Sequence, residues 1–327
     1  MRPTIVPKSV DDGYIPTTEK EHFTMAMLNP INCPLGTVPI RRTHKSDLIR
    51  AKSFTEKFAA KIHPQTQFTP GRHQAIVRSI FDPKVIYKGI EAIFSIYKPE
   101  VKANQSSFAQ IWIEGGPPNA RNSLQAGWMV APDLYGDNNT RSFIYWSVEG
   151  NPKRGCFNLL CEGFVQVDKS FTLAYGGLLA PSEYDSKTQH AIMNQIYQDP
   201  RTGHWWLRVP SLNVTVGYWP KELFPNLAGG ATQVVWGGQV FGQPNGASPG
   251  MGNGHLPDGN FRRASYAVQM KVVDPNLRLV EPGGPYYQME SFADNSNCYN
   301  VQYFGYKDHY YGFSFLFGGP GGQNCGI

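Results

Sequence analysis

SLQAGWMVAP, residues Ser123 to Pro132, alternates along its length and stops at a proline. Leu124, Ala126, Trp128 and Val130 fall on one face of an extended chain, Gln125, Gly127 and Met129 on the other. This is a strand with period two, and it raises the question of Gln125. A glutamine there is either a solvent-facing amide or the occupant of a position that elsewhere carries a more reactive group.

Runs of the same kind lie on both sides. QAIVRSIF, AIFSIYK and FAQIWIEG precede it, and SFIYWSVEG, FNLLCEGFVQV, WWLRV, NVTVGYWP, TQVVWGGQVFG, SYAVQMKVVD and FSFLFGG follow. The breaks between them are turn-forming clusters such as LYGDNN, PNGASPGMGNG and GGPGG. Short, evenly placed strands predict an antiparallel sandwich or barrel. The composition of 34 Gly, 26 Pro and 13% aromatic residues in 327 suits strands joined by tight turns.

Helical spacing is confined to a few places. Leu48, Ala51, Phe54, Phe58 and Ile62 recur every three or four residues, with Ser46 as the expected N-cap and Pro64 just past the end. LFPNLAGGA and TQHAIMNQIYQD carry the spacing of short helices. Residues 1–32 read as an extended polar segment lying over other structure, and NCPLGTVPIRR, Asn32 to Arg42, as a short strand. PQTQFTPGR, Pro64 to Arg72, makes a natural boundary.

Charge narrows the function. Residues 1–70 hold ten Lys or Arg against six Asp or Glu, the rest of the chain twenty against nineteen. The larger part is nearly neutral and lacks the basic face that phosphate contacts need, so no nucleic-acid partner is expected. No stretch approaches the roughly 18 apolar residues of a membrane span, so no membrane partner is expected either.

Cys156 and Cys161 lie close in GCFNLLCEG, and Cys298 and Cys325 bracket the C-terminal segment. Spacing alone does not assign pairs, but local pairing of each couple is the simplest reading, and it leaves Cys33 over. Three sequons, at Asn104, Asn138 and Asn213, agree with a secretory route. MRPTIVPKSVDDGY has no apolar core of a signal peptide, so the expectation is a chain whose leader lies upstream of Met1.

GASPG, Gly246 to Gly250, matches a nucleophile elbow as a string, but it sits in a glycine-rich loop without the helix that an elbow requires. The eight histidines show no metal-ligand spacing, so no metal and no cofactor is expected. His255 and His204 lie among glycine or tryptophan, where each could line a cleft. The aromatic clusters YWSVEG, HWW, GYW and VVWGG are denser than a core needs, and part of them could line a groove for an extended ligand.

In order along the chain, SLQAGWMVAPDLYGD, RSFIYWSVEG, GCFNLLCEGFVQV, DPRTGHWWL, VGYWPKELF, VVWGGQV, MGNGHLP, ASY and GGPGGQNC resemble the plant neprosin family throughout residues 70–327. Residues 28–64 look like the C-terminal part of that family's pro-segment. The resemblance implies a secreted plant protein (apoplast, with the vacuole as the alternative) divided into a pro-segment, 1–70, and a neprosin-type domain, 71–327. The fold implied is all-β, an antiparallel sandwich of two curved sheets preceded by a small α+β pro-segment. It also implies the disulfides Cys156–Cys161 and Cys298–Cys325, and a partner for Cys33 further upstream.

The activity implied is that of an acid-acting glutamic endopeptidase cutting after proline. Two carboxyls facing each other across a cleft share a proton, so one activates water while the other polarises the scissile carbonyl. The first stands before Ala-Gly-Trp, which is Gln125 here. The second ends Trp-Gly-Gly-Glu, which is Gln239 here. An amide neither releases nor takes a proton in the working range, so the pair is absent if these motifs correspond. Glu149 and Glu162 are the carboxylates nearest to matching motifs.

The expected function is therefore that of a peptidase scaffold without peptidase activity, binding a peptide or a proline-rich or cell-wall ligand in its groove and partnered by its own pro-segment. Trp128, Tyr145, Trp146, Glu149, Trp236 and His255 are the candidates to line that groove. The alternatives are an acid prolyl endopeptidase using other residues, and a scaffold recruited for small-molecule chemistry.

Overall fold

The computed structural model describes residues 1–9, 22–25, 34, 37–38, 42–59, 70–149, 154–170 and 176–325. Two short strands, β1 (Lys8–Ser9) and β2 (His22–Met25), and helix α1 (Lys45–Ala59) come first. Strands β3 (Arg72–Ser79), β4 (Gly89–Ser95), β5 (Ser106–Gly115) and β6 (Asn122–Val130) follow, then a single helical turn α2 (Pro132–Tyr135). Next are β7 (Arg141–Val148), β8 (Arg154–Phe157), β9 (Val165–Gln166), β10 (Thr188–Gln198), β11 (Trp205–Val209) and β12 (Val214–Trp219). The rest is β13 (Gln233–Phe241), β14 (Ser265–Val273), β15 (Arg278–Val280), β16 (Met289–Ala293), β17 (Asn300–Tyr306) and β18 (Phe313–Gly318).

These strands form two sheets. The larger runs β1-β15-β14-β4-β10-β11-β12-β9, with β18 also on β14, β17 on β18, and β2 on β10. The smaller runs β16-β3-β13-β5-β6-β7-β8. All pairings are antiparallel except those of the N-terminal strands, β1 with β15 and β2 with β10, which are parallel. The predicted all-β sandwich is what forms.

The core lies between the sheets. From the smaller sheet come Ile111, Leu124, Ala126, Trp128, Ile144 and Trp236, and from the larger Ile90, Phe94, Ile196 and Leu207. Trp128 and Trp236 are fully buried, and a buried indole N–H needs an acceptor. Each finds one on β4: Trp128 Nε1 donates to Ser95 O at 2.8 Å and Trp236 Nε1 to Glu91 O at 3.1 Å. The two side chains staple sheet to sheet, each burial contributing about 2–3 kcal/mol.

Three local readings change. TQHAIMNQIYQD is strand β10, not a helix. Its apolar pairs four residues apart mimic a helical stripe, but Ile192 and Ile196 face the core while Gln195 and Tyr197 point the other way. LFPNLAGGA holds only a short 3-10 turn, Pro225–Leu227. Helix α1 begins at Lys45, which puts Ser46 inside the first turn; Asp47 Oδ2 closes that turn by accepting the His44 N–H at 3.1 Å. Ile62, Pro64 and most of NCPLGTVPIRR, Cys33 included, lie outside the described residues.

Both expected disulfides form, Cys156–Cys161 from within β8 to the turn after it and Cys298–Cys325 from just before β17 to the C-terminal turn. Asn104, Asn138 and Asn213 are all exposed. Among the described residues no helix is long and apolar enough to cross a membrane.

Candidate functional site

Residues opposite one another on paired strands point to the same face of a sheet. Gln125 on β6 lies opposite Trp112 on β5 and Tyr145 on β7. Gln239 on β13 lies opposite Phe108 on β5 and Gln74 on β3. Trp112 and Phe108 are both even-numbered positions of one strand, so Gln125 and Gln239 share a face of the smaller sheet, on the side away from the core. The two positions that the sequence singled out are brought onto one surface, two strands apart and offset along the strands.

Between them stands Gln110 of β5. It lies opposite Gly127 on one side and Gly237 on the other. Both glycines are forced by close backbone approach: a Cβ on Gly127 would fall 2.1 Å from Ala109 O, and one on Gly237, where φ is +141°, 2.4 Å from Ala75 O. With no side chains flanking it, Gln110 reaches across, and its Nε2 donates to Gln239 Oε1 at 3.4 Å. Gln125 Nε2 donates to Ser123 Oγ at 3.3 Å. Gln125, Gln110 and Gln239 form a diagonal row of amides, with Gln74 beside its far end.

All four glutamines are buried, yet the row is incompletely hydrogen bonded. Among the described residues, Gln110 Oε1 and Gln125 Oε1 lack donors, and Gln74 Nε2 and Trp112 Nε1 lack acceptors. Buried polar atoms without partners are uncommon, and each costs about 1–3 kcal/mol. With the Tyr145 hydroxyl, which is also without a partner among the described residues and lies on the same face, these acceptors and donors make a surface suited to a ligand that offers both kinds of group.

The rest of the face is apolar. Ile76, Trp112 and Val235 cluster at one end. At the other, Phe108, Phe143, Tyr145, Phe157 and Phe241 pack under helix α1, which contributes Ala51, Phe54 and Phe58. The Phe58 ring sits 4.7 Å from Phe241, 4.9 Å from Phe157, 5.1 Å from Tyr145 and 5.2 Å from Phe108. Burial pushes the Tyr145 phenol up, and the charge of Glu149 adds to the effect. That ring is a neutral wall at any working pH.

The expected groove lining is corrected in part. Trp128 and Trp236 point into the core between the sheets, because each lies an odd number of residues from the glutamine in its own strand. Trp146 follows Tyr145 and also points coreward; its ring meets Phe224 edge-on at 5.7 Å and borders a cavity of about 720 Å³ between α1 and the Cys156–Cys161 loop. Glu162 is exposed and lines that same cavity. His255 lies on an exposed loop, its ring tilted against Tyr184 at 4.3 Å. His204 stacks on Tyr218 at 4.9 Å on the larger sheet. Tyr145 is on the amide face, and Glu149, two and four residues beyond Ser147 and Tyr145, continues that face past the end of β7.

Sequence reading missed Gln74, Gln110, Trp112 and the ring that takes Phe58. The available signal was Gln110 itself, a lone amide in the otherwise apolar run FAQIWI.

Among solved structures, the chain is similar to a scytalido-glutamic peptidase bound to a peptide-based transition state analog, at 9% identity and TM-score 0.37, covering 77% of this chain and 99% of that one. It is also similar to SCP-B, a member of the Eqolisin family of peptidases in complex with the tripeptide Ala-Ile-His, at 10% identity and TM-score 0.38, covering 77% and 98%. Likeness at that level carries no argument about activity. The neprosin family model, by contrast, matches residues 103–320, more than half of the chain and all of the strands that carry Gln110, Gln125 and Gln239. On that match, the chain belongs to the neprosin family.

Proposed function

We propose that this protein is a secreted, catalytically silent member of its family that binds an extended peptide across the amide face. One observation carries the reading: the two positions expected to hold the acid–base pair are amides on a buried face that also presents unpaired donors and acceptors. General acid–base transfer supplies about 10²–10⁴-fold of a rate, and an amide supplies neither direction of it. The alternation of N–H and C=O along an extended peptide matches the mixed donors and acceptors of the row. A wall glycan, which offers hydroxyls, matches it less specifically.

Residues 1–70 are read as the pro-segment and 71–327 as the sandwich domain, with α1 as the cover of the face. The two disulfides and the exposed Asn104, Asn138 and Asn213 support an extracellular setting with glycosylation.

The test compares the wild-type chain with Gln125→Glu/Gln239→Glu on a proline-containing substrate at pH about 2 to 5. Each is also measured with Phe58→Ala, so that the cover is not the cause of silence. Cleavage only in the double glutamate variants is expected. Cleavage by the wild-type sandwich, lost in Glu149→Gln, would overturn the reading in favour of a peptidase using other groups.

A further inference from the structure

Helix α1 fills the aromatic end of the face with one side chain. Phe58 is only 3% exposed and is surrounded by Phe108, Tyr145, Phe157 and Phe241 at 4.7 to 5.2 Å. Tyr145 and Phe157 meet it edge to face, at 79° and 65°, the geometry in which the positive edge of one ring meets the negative face of another. Phe54, one turn earlier, is also buried, reaching Phe157 at 5.3 Å and stacking on Phe58 at 5.9 Å. No charge enters the box: Lys57, between them in sequence, turns outward to Asn104 Oδ1 at 3.4 Å.

The box also adjoins the amide row. Tyr145 lies opposite Gln125, and Phe108 lies opposite Gln239. A peptide whose main chain met the row would therefore place one side chain where Phe58 now lies.

We propose that this box is the specificity pocket of the groove and that it selects a peptide bearing an aromatic side chain, phenylalanine above all, of which Phe58 is the internal stand-in. The inference rests on the groove reading above and departs from it in the side chain selected. A proline ring has no π edge to offer Tyr145 and Phe157 and is smaller than the space Phe58 fills, so it leaves part of the box empty. Voids in a packed interior forfeit contacts. Fully burying a phenylalanine in place of a small residue corresponds to at least about tenfold in affinity.

The experiment uses the full chain with Phe58→Ala, which empties the box. It is titrated by NMR, which reads weak affinities, with Gly/Ser peptides of one length that differ only at the centre: Phe, Pro or Ala. The expected result is the Phe peptide bound at least about tenfold tighter than either other peptide, with little binding of any of them by the wild-type chain. Proline bound as tightly as phenylalanine overturns this inference and leaves the groove reading standing. No binding of any peptide overturns both. Should Phe58→Ala fail to fold, Phe58→Val, which keeps a small apolar side chain but vacates most of the space of the ring, serves in the same comparison with the same outcomes.

Discussion

Gln110 donates from Nε2 to Gln239 Oε1 at 3.4 Å, from the strand that separates Gln239 from Gln125. Gln110 thus bonds one of the two glutamines and stands between it and the other, while Gln125 bonds Ser123 Oγ instead. Because none of the three side chains titrates, the row is as polar at pH 4 as at pH 7.

Introducing two carboxyls ends that indifference. In Gln125→Glu/Gln239→Glu, burial disfavours the charged forms, so the folded pKa values rise above the usual carboxylate range. The penalty is absent below the unfolded pKa and grows as pH rises through it toward neutrality. Melting temperatures of variant and wild type should agree near pH 3 and diverge at pH 7, by the equivalent of roughly 2–4 kcal/mol. Equal melting at both pH values would mean that the face is wet.

Glu91 supplies a second test on the other sheet. It is fully buried between Lys271 and Gln195 in register, with Gln195 Nε2 donating to Oε2 at 2.7 Å. Burial pushes its pKa up to about 7, against the opposing charges of Lys271 and Arg208 and the Gln195 bond. A folded pKa above the unfolded one means that stability falls as pH rises from about 4.5 to 7. Glu91→Gln should therefore leave the melt unchanged near pH 4 and raise stability above pH 7, by up to about 3 kcal/mol. Calorimetry at the two pH values decides it, and a loss of stability at pH 8 would show that the ion pairs dominate.

The two disulfides should differ in weight. Cys298–Cys325 spans 27 residues and Cys156–Cys161 only 5. Chain-entropy scaling gives about 3–4 kcal/mol for the longer loop and about 2 kcal/mol for the shorter. Urea unfolding of Cys298→Ala/Cys325→Ala against Cys156→Ala/Cys161→Ala checks the order.

Acid should free the N-terminal strand before the sandwich. Burial pushes the Asp199 carboxyl up, but bonds from the Thr4 hydroxyl and N–H and from the Arg201 and Thr202 N–H groups outweigh it and hold the pKa below the usual value. A lowered folded pKa contributes stability above the unfolded value and loses it as pH falls through the folded one. Amide exchange at Thr4, corrected for its intrinsic rate, should lose protection below pH about 4 while β4 and β10 keep theirs. Retained protection at Thr4 in strong acid would rule out Asp199 as the anchor.

Much of this architecture was legible in the sequence, and one error was avoidable. The strand period puts Gln125 and Trp128 on opposite faces, and likewise Gln239 and Trp236, so a groove containing the glutamines could not also be lined by those tryptophans. Their aromatic density belonged to the core. Helix α1 was readable from Ala51, Phe54 and Phe58, but not its seat, because the rings that receive it come from four strands remote in sequence. Gln110 carried little local signal: its meaning depends on β13 entering beside β5, and register between distant strands is not written in either segment alone. Residues 188–198 misled because Ile192 and Ile196 satisfy both a helical stripe and a strand face.

The position of β13 has a temporal consequence. Among the described residues β3, the first strand of the smaller sheet, pairs with β13 and β16, both made long after it. The box around Phe58 lacks a wall until Phe241 has been synthesised. Helix α1, made before any of its partners, therefore has nowhere to dock for most of translation. Pairings this distant in sequence form slowly, so α1 takes its seat only after the strands beneath it are in place.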